Sequence, residues 1–258
     1  MHAFRVATVN VHSFDNPVTC CQNIEDLVKI LKPLNLDLIC VQEIWDNEKW
    51  KNFCSALSMD YSCYGAASDG YLGNGIASRH RIEWSSNHVS KLYGAGGFRS
   101  LLRFRLDSLH PFTRNRVFAV THLDYLNEEN RLKQIDELQL ARGGIDILLG
   151  DFNSLTRADY TDTYFDQIVK GKRVESDWEL PIFDVTTKMT TDFGFLDIFR
   201  EKNPSLRDKH VVTCSYGTRI DYIFVKPDVE KEWKRTECSI VDTKGATDHQ
   251  AVFATFQR

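Results

Sequence analysis

The chain has 258 residues and a mass of 29.8 kDa, with 42% hydrophobic and 26% charged residues, ordinary proportions for a soluble protein that buries a substantial core. A formal net charge of -4 excludes a generally basic nucleic-acid binder but leaves room for a local basic cleft. Seven cysteines with no CxxC pair read as reduced thiols, no apolar run is long enough to span a bilayer, and "MHAFRVATVN" lacks the pattern of a secretion signal.

In chain order, "FRVATVN" (residues 4–10) reads as the first strand. Ile24, Leu27, Val28 and Leu31 then recur at helical spacing, and Pro33 is a stop signal. "LDLICVQ" (36–42) is a strand, and "NEKWKNFCSAL" (47–57) a helix. "GNGIAS" (73–78), "SLLRFRL" (100–106) and "RVFAVTH" (116–122) follow as strands, before a helix over 127–140 capped by Asn127. "IDILLGD" (145–151) and "RIDYIFV" (219–225) flank a long stretch, 155–192, rich in aromatic and basic residues. In that stretch Ala158, Tyr164, Phe165 and Ile168 suit the packed face of a helix, while Trp178 and the Lys170, Lys172, Arg173 group remain open to a substrate role. "KEWKRTE" (231–237) reads as a solvated turn or short helix, and "HQAVFATF" (249–256) as the last strand. No repeat, low-complexity tract or linker divides the chain, so residues 1–258 read as a single domain of the α/β class.

The strands end in polar residues. Asn10, Glu43, His122, Asp151 with Asn153, Asp221, and Asp248 with His249 all fall at or near strand ends. Singly these have plain explanations: Asn10 and Asp151 as turn residues, His122 as a core histidine, Asp221 as the ion-pair partner of Arg219. Together they are harder to explain so, because a buried carboxylate needs a charged or hydrogen-bonded partner. Oxygen donors without Cys/His spacing suit a hard cation, Mg²⁺ with Mn²⁺ as a substitute, for which Glu43 plus Asp248 suffice. His249 beside Asp221 forms an imidazole–carboxylate dyad.

The motifs "TVN", "VQE", "THLD", "GDFNS", "RIDYIFV" and "TDH", in this order from Asn10 to His249, resemble the endonuclease/exonuclease/phosphatase superfamily. The resemblance implies a four-layer α/β sandwich, two mixed β-sheets packed face to face and flanked by helices. It also implies roles. Glu43 becomes the principal metal ligand with Asn10 and Asp248 beside it, and Asp151 the residue that orients the attacking water. Asn153 becomes a ligand of a phosphate oxygen, and His249 with Asp221 the stabiliser of the scissile phosphate. His122 falls on the leaving-group side, Arg99 binds phosphate, and Tyr216, beside the dyad in "CSYGTRID", lines the pocket. The glycines of "KLYGAGGFRS" permit close backbone approach, and Gly150 lets the strand end bend. One departure is His12, where apurinic-site and tyrosyl-DNA enzymes carry an acid.

The expected activity is metal-dependent hydrolysis of a phosphodiester, DNA or RNA first. A small or lipid phosphoester is the alternative substrate, and a catalytically silent scaffold the alternative of another class. The expected setting is intracellular, cytoplasmic or nuclear, for a monomer without stable membrane association.

Overall fold

The eight stretches foreseen as strands all pair, and they pair into two separate sheets. The computed structural model describes residues 2–67, 72–141 and 144–258. The first sheet runs β11 (Lys234–Val241), β12 (Ala251–Gln257), β1 (Ala3–Asn10), β2 (Leu38–Ile44), β4 (Gly73–Ser78), β3 (Tyr61–Gly65). The second runs β5 (Ile82–Val89), β6 (Ser100–Leu106), β7 (Phe118–His122), β8 (Ile147–Asp151), β10 (Asp221–Val225), β9 (Leu196–Asp197). The β1–β2 and β7–β8 pairs are parallel and the other pairs antiparallel, so both sheets are mixed.

Side-chain alternation along each strand sorts the core into layers. Val6, Leu38, Cys40 and Ile76 of the first sheet meet Phe104, Val120, Leu149 and Ile223 of the second. Ala7, Val9, Ile39 and Val41 point the other way, onto helices α1 (Ile24–Leu31) and α2 (Glu48–Ala56) through Leu27, Leu31, Trp50 and Phe53. On the far side Ala119, Leu148, Tyr222 and Phe224 are covered by α3 (Glu128–Glu137) and by the helical segment 184–192. The result is helices, sheet, sheet, helices. Asn127 caps α3 as expected, accepting from Asn130 N at 3.0 Å, and Asn47 likewise caps α2, accepting from Trp50 N at 3.3 Å.

The reading of 231–237 as a turn or short helix needs correction. A helical turn, Val229–Glu232, is followed directly by β11, which zips along β12. The stretch 155–192 is largely helical, and Phe165 and Val169 pack into the inter-sheet core; Ala158 is exposed and does not.

The parallel pairs set where the site lies. Register matches Asn10 with Gln42 and His122 with Asp151, and the antiparallel β8–β10 pair matches Asp151 with Asp221. The polar ends of five strands therefore open on one edge of the sandwich.

The opposite edge gathers His2, His80 and His110 around Phe4, with ring centroids 6.2 Å (His2–His110) and 5.3 Å (His80–His110) apart. Burial, then the neighbouring imidazoles of His80 and His2, lower the His110 pKa against the opposing pull of Asp37. The folded state thus binds a proton at His110 less readily than the unfolded chain. The stability this contributes is whole above the unfolded value of 6.5 and is lost as pH falls through the lower folded value. Urea midpoints are expected to drop as pH falls below about 6.5, and less steeply in His110→Gln. Equal slopes in the two proteins would refute the assignment.

Candidate active site

All ten residues singled out in the sequence meet at the open edge. Glu43, Arg99, His122, Asp151, Asn153, Tyr216, Asp248 and His249 line one cleft of ≈ 200 Å³, and Asn10 and Asp221 lie behind it. Asn10 donates from Nδ2 to Glu43 Oε1 at 2.9 Å and to Asp151 Oδ2 at 3.3 Å, while its Oδ1 accepts from His12 N at 3.1 Å. In this orientation Asn10 offers hydrogens, not its oxygen, to the two carboxylates. His249 Nδ1 lies 3.0 Å from Asp221 Oδ2, and its Nε2 faces Asp151 Oδ2 at 3.8 Å. His122 places Nδ1 3.0 Å from Arg99 Nη1 and Nε2 3.5 Å from Asp151 Oδ2. A guanidinium only donates, so Nδ1 accepts from Arg99, while Nε2 lies 3.1 Å from the amide nitrogen of Asn153.

Backbone irregularities aim these groups. Glu43 sits at a bulge between Gln42 and Ile44 with φ +60°, a left-handed conformation that costs a non-glycine residue about 1–3 kcal/mol and turns its side chain into the cleft. Asn153 has φ +50°, tolerated by asparagine, and its N–H donates to Asp151 Oδ1 at 2.9 Å. Gly150 does more than let the chain bend. Its φ is +142° and an added Cβ would lie 1.9 Å from Thr121 O, so only glycine lets β8 lie this close to β7. Close approach also explains the glycine loop, where a Cβ on Gly96 would lie 2.1 Å from Arg99 Nη2.

The expected alternative for Asp221 does not form. Arg219 turns away to Asp159 (Nε to Oδ2, 2.7 Å) and Asp197 (Nη1 to Oδ1, 3.1 Å), leaving Asp221 to His249. Asp221 Oδ1 is buried without a hydrogen-bond partner among the described residues. Burial alone would strip the proton from His249, but the Asp221 carboxylate, then Asp151, override it and hold the imidazole pKa well above its ordinary value. Burial, reinforced by the Asp221 charge, raises Asp151. Burial, with Arg99 and His249 nearby, lowers His122 well below the usual range, so that ring stays neutral.

Two sets of donors suit a metal. Asp151, Asp221 and His249 place ligand atoms within 4.8 Å of one another, all buried. Glu43 and Asp248, with side chains 23% and 29% exposed, face His12 at 3.6 and 3.9 Å, and Glu43 also lies 4.0 Å from His122 Nε2. His12 thus puts an imidazole beside both carboxylates. Carboxylate oxygens are the donors that a hard divalent ion takes.

Sequence reasoning missed the far wall of the cleft. Tyr125 was not singled out, and Trp178 and Arg173 were left open, yet all three line it. The signal for Arg173 and Trp178 was their place in an unusually long, aromatic stretch after "GDFN".

The family model described as the Endonuclease/Exonuclease/phosphatase family matches residues 7–249. No curated protein matches the chain. Among solved structures, the fold is similar to an endonuclease/exonuclease/phosphatase from Beutenbergia cavernae DSM 12333, at TM-score 0.69 and 16% identity over 100% of this chain and 72% of that one. It is similar to an AP endonuclease from Archaeoglobus fulgidus, at TM-score 0.68 and 17% identity over 99% and 100% of the two chains. A mannosyl-6-phosphatase from Bacteroides thetaiotaomicron VPI-5482 has TM-score 0.59 and 17% identity over 99% and 100%. At such identities the likeness is one of fold.

Proposed function

The chain belongs to the endonuclease/exonuclease/phosphatase family, and from that premise we propose a divalent-metal-dependent phosphodiesterase that hydrolyses a P–O bond of DNA or RNA by in-line attack of water. The observation that carries this reading is the convergence of Asp151 with the Asp221–His249 dyad, 3.8 Å from His249 Nε2 to Asp151 Oδ2, in a cleft that also holds Glu43 and Asp248. Residues 1–258 act as one catalytic domain, a monomer whose partner is the phosphodiester itself. An intracellular setting, cytosol or nucleus, accompanies that substrate.

Asp151 holds and orients the water, since a carboxylate whose proton affinity is raised by burial is a better base. His249, kept protonated by Asp221, sets positive charge against the phosphoryl oxygens as their charge builds. Asn153 donates to a phosphoryl oxygen, and Arg99 adds positive charge behind His122. In-line displacement puts nucleophile and leaving group on opposite sides of phosphorus, and His122 lies beside Asp151. We therefore assign His122 to the phosphoryl oxygens rather than to the leaving group.

Glu43 and Asp248 would hold Mg²⁺ or Mn²⁺, with Asn10 fixing Glu43 from behind. The Asp151, Asp221 and His249 set is less suited, because His249 Nδ1 is already engaged by Asp221 at 3.0 Å. A cation bound at Glu43 and Asp248 supplies charge neutralisation to the phosphate. Turnover of bis-p-nitrophenyl phosphate and of an oligonucleotide is expected with Mg²⁺ and to stop in EDTA. Glu43→Gln should raise the Mg²⁺ requirement by at least about 10- to 100-fold, the loss seen even for outer partners of metal ligands. Turnover indifferent to EDTA, or an unchanged Mg²⁺ requirement, would end this reading. The likeness of fold to a mannosyl-6-phosphatase favours as second reading a small phosphoester such as a sugar, inositol or lipid head-group phosphate. Turnover of those esters without any oligonucleotide cleavage would put it first.

A further inference from the structure

We infer that Tyr125, Trp178, Tyr216 and Arg173 form a subsite for a single nucleotide residue flanking the scissile phosphate, its base against Trp178 and its second phosphate at Arg173. The inference rests on the phosphodiesterase reading above and names which part of the substrate the far wall takes.

Three rings stand together on that wall. The Trp178 and Tyr216 centroids are 4.4 Å apart at 50°, and Tyr125 lies 6.3 Å from Trp178. Tyr125 and Tyr216 are 40% and 38% exposed, Trp178 is half-buried, and all three line the cleft that holds the reacting groups. A π-face is what a base stacks on, whatever its identity.

Arg173 supplies the second observation. It is 6% exposed, yet its guanidinium makes one hydrogen bond, from Nη1 to Glu179 O at 3.3 Å, and lies 5.8 Å from the Trp178 ring. Among the described residues no carboxylate pairs with it. Glu179, the nearest candidate, gives its carboxylate to Arg131 at 2.6 Å and to Glu128 N instead. A buried cation with no carboxylate in contact is costly, and this one lines the cleft. An anionic group of the substrate would complete it, and a planar guanidinium takes phosphate in a bidentate fork.

The wall is also held in place before any ligand arrives. Glu179, next to Trp178, is anchored to α3 through Arg131, and Tyr164 Oη donates to Gly217 O at 3.0 Å, tying the 155–192 stretch to the Tyr216 loop. Such preorganisation lowers the ordering entropy of binding. The wall and the reacting groups share one cleft, so the residue held on the wall is the one next to the scissile phosphate.

The test compares a fluorescein-labelled DNA oligonucleotide with the same strand carrying a single abasic residue at the reacting position. Binding to the full chain is read by anisotropy in EDTA, and hydrolysis separately in Mg²⁺. Trp178→Ala is expected to weaken binding of the base-bearing strand by about 5- to 150-fold, the range of one base–aromatic stack. The abasic strand should bind Trp178→Ala as it binds the wild-type chain, and Trp178→Phe should restore the base-bearing complex. Arg173→Gln should weaken both strands and reduce the slope of log affinity against log salt by about 1. Equal losses for the two strands, or none, overturn the subsite. A wild-type chain that cleaves no phosphodiester but binds bases through Trp178 keeps the subsite and removes the phosphodiesterase reading; cleavage indifferent to Trp178 does the reverse.

Discussion

His249→Ala is expected to lower kcat on a phosphodiester by about 10²- to 10⁴-fold, the range for losing a positioned acid–base or charge-stabilising group. The argument starts from burial. A histidine with 9% of its side chain exposed would normally shed its proton, and Asp221 Oδ2 at 3.0 Å prevents this. Asp221 acts through His249, so it is a positioning residue, and the two should behave as one unit. Asp221→Ala should therefore cost somewhat less than His249→Ala, and the double variant no more than His249→Ala alone. Multiplying losses in the double variant would show that Asp221 acts independently. KM should stay near its wild-type value in all three, because the contribution is made where charge develops rather than in the ground state.

The parts of this architecture legible in the sequence are those buried on both faces. β1, β2, β7, β8, β10 and β12 lie inside a sheet between helices and the other sheet, and so read as apolar runs. The four strands not foreseen, β3, β5, β9 and β11, are the four sheet edges. β5 buries almost nothing, "IEWSSNHV" carrying polar residues on both faces, and β9 has two residues, so neither has a pattern to read. The same logic divides the site. Asp151, Asp221 and Glu43 were visible because a carboxylate at the end of an apolar run is conspicuous. Tyr125 was invisible because an aromatic residue in a loop has no period, and only the fold brings it opposite Trp178. The partners of Arg219 were not legible for a related reason: adjacency to Asp221 in sequence says nothing about Asp159 and Asp197, which are 60 and 22 residues away.

That pairing leads to the largest expected effect on stability. Arg219 has no exposure and lies between Asp159 and Asp197, with its guanidinium 4.3 Å from the Tyr222 ring. It joins the segment after "GDFNS" and the start of the short helix Ile198–Lys202 to the strand that carries Asp221. Arg219→Met keeps much of the volume but leaves two buried carboxylates facing each other with only Arg200 to share, through its contact with Asp159. Removal of one partner from a buried ion pair typically costs about 3–5 kcal/mol. A loss of that size should appear as a fall in the urea midpoint with an unchanged slope. If uncompensated charge is the cause, the triple variant Arg219→Met, Asp159→Asn, Asp197→Asn should recover most of the loss, since neutral groups of the same shape need no counter-ion. A single variant that loses less than about 1 kcal/mol, or a triple variant no better than the single, would mean that packing against Tyr222 rather than charge holds β10 in place.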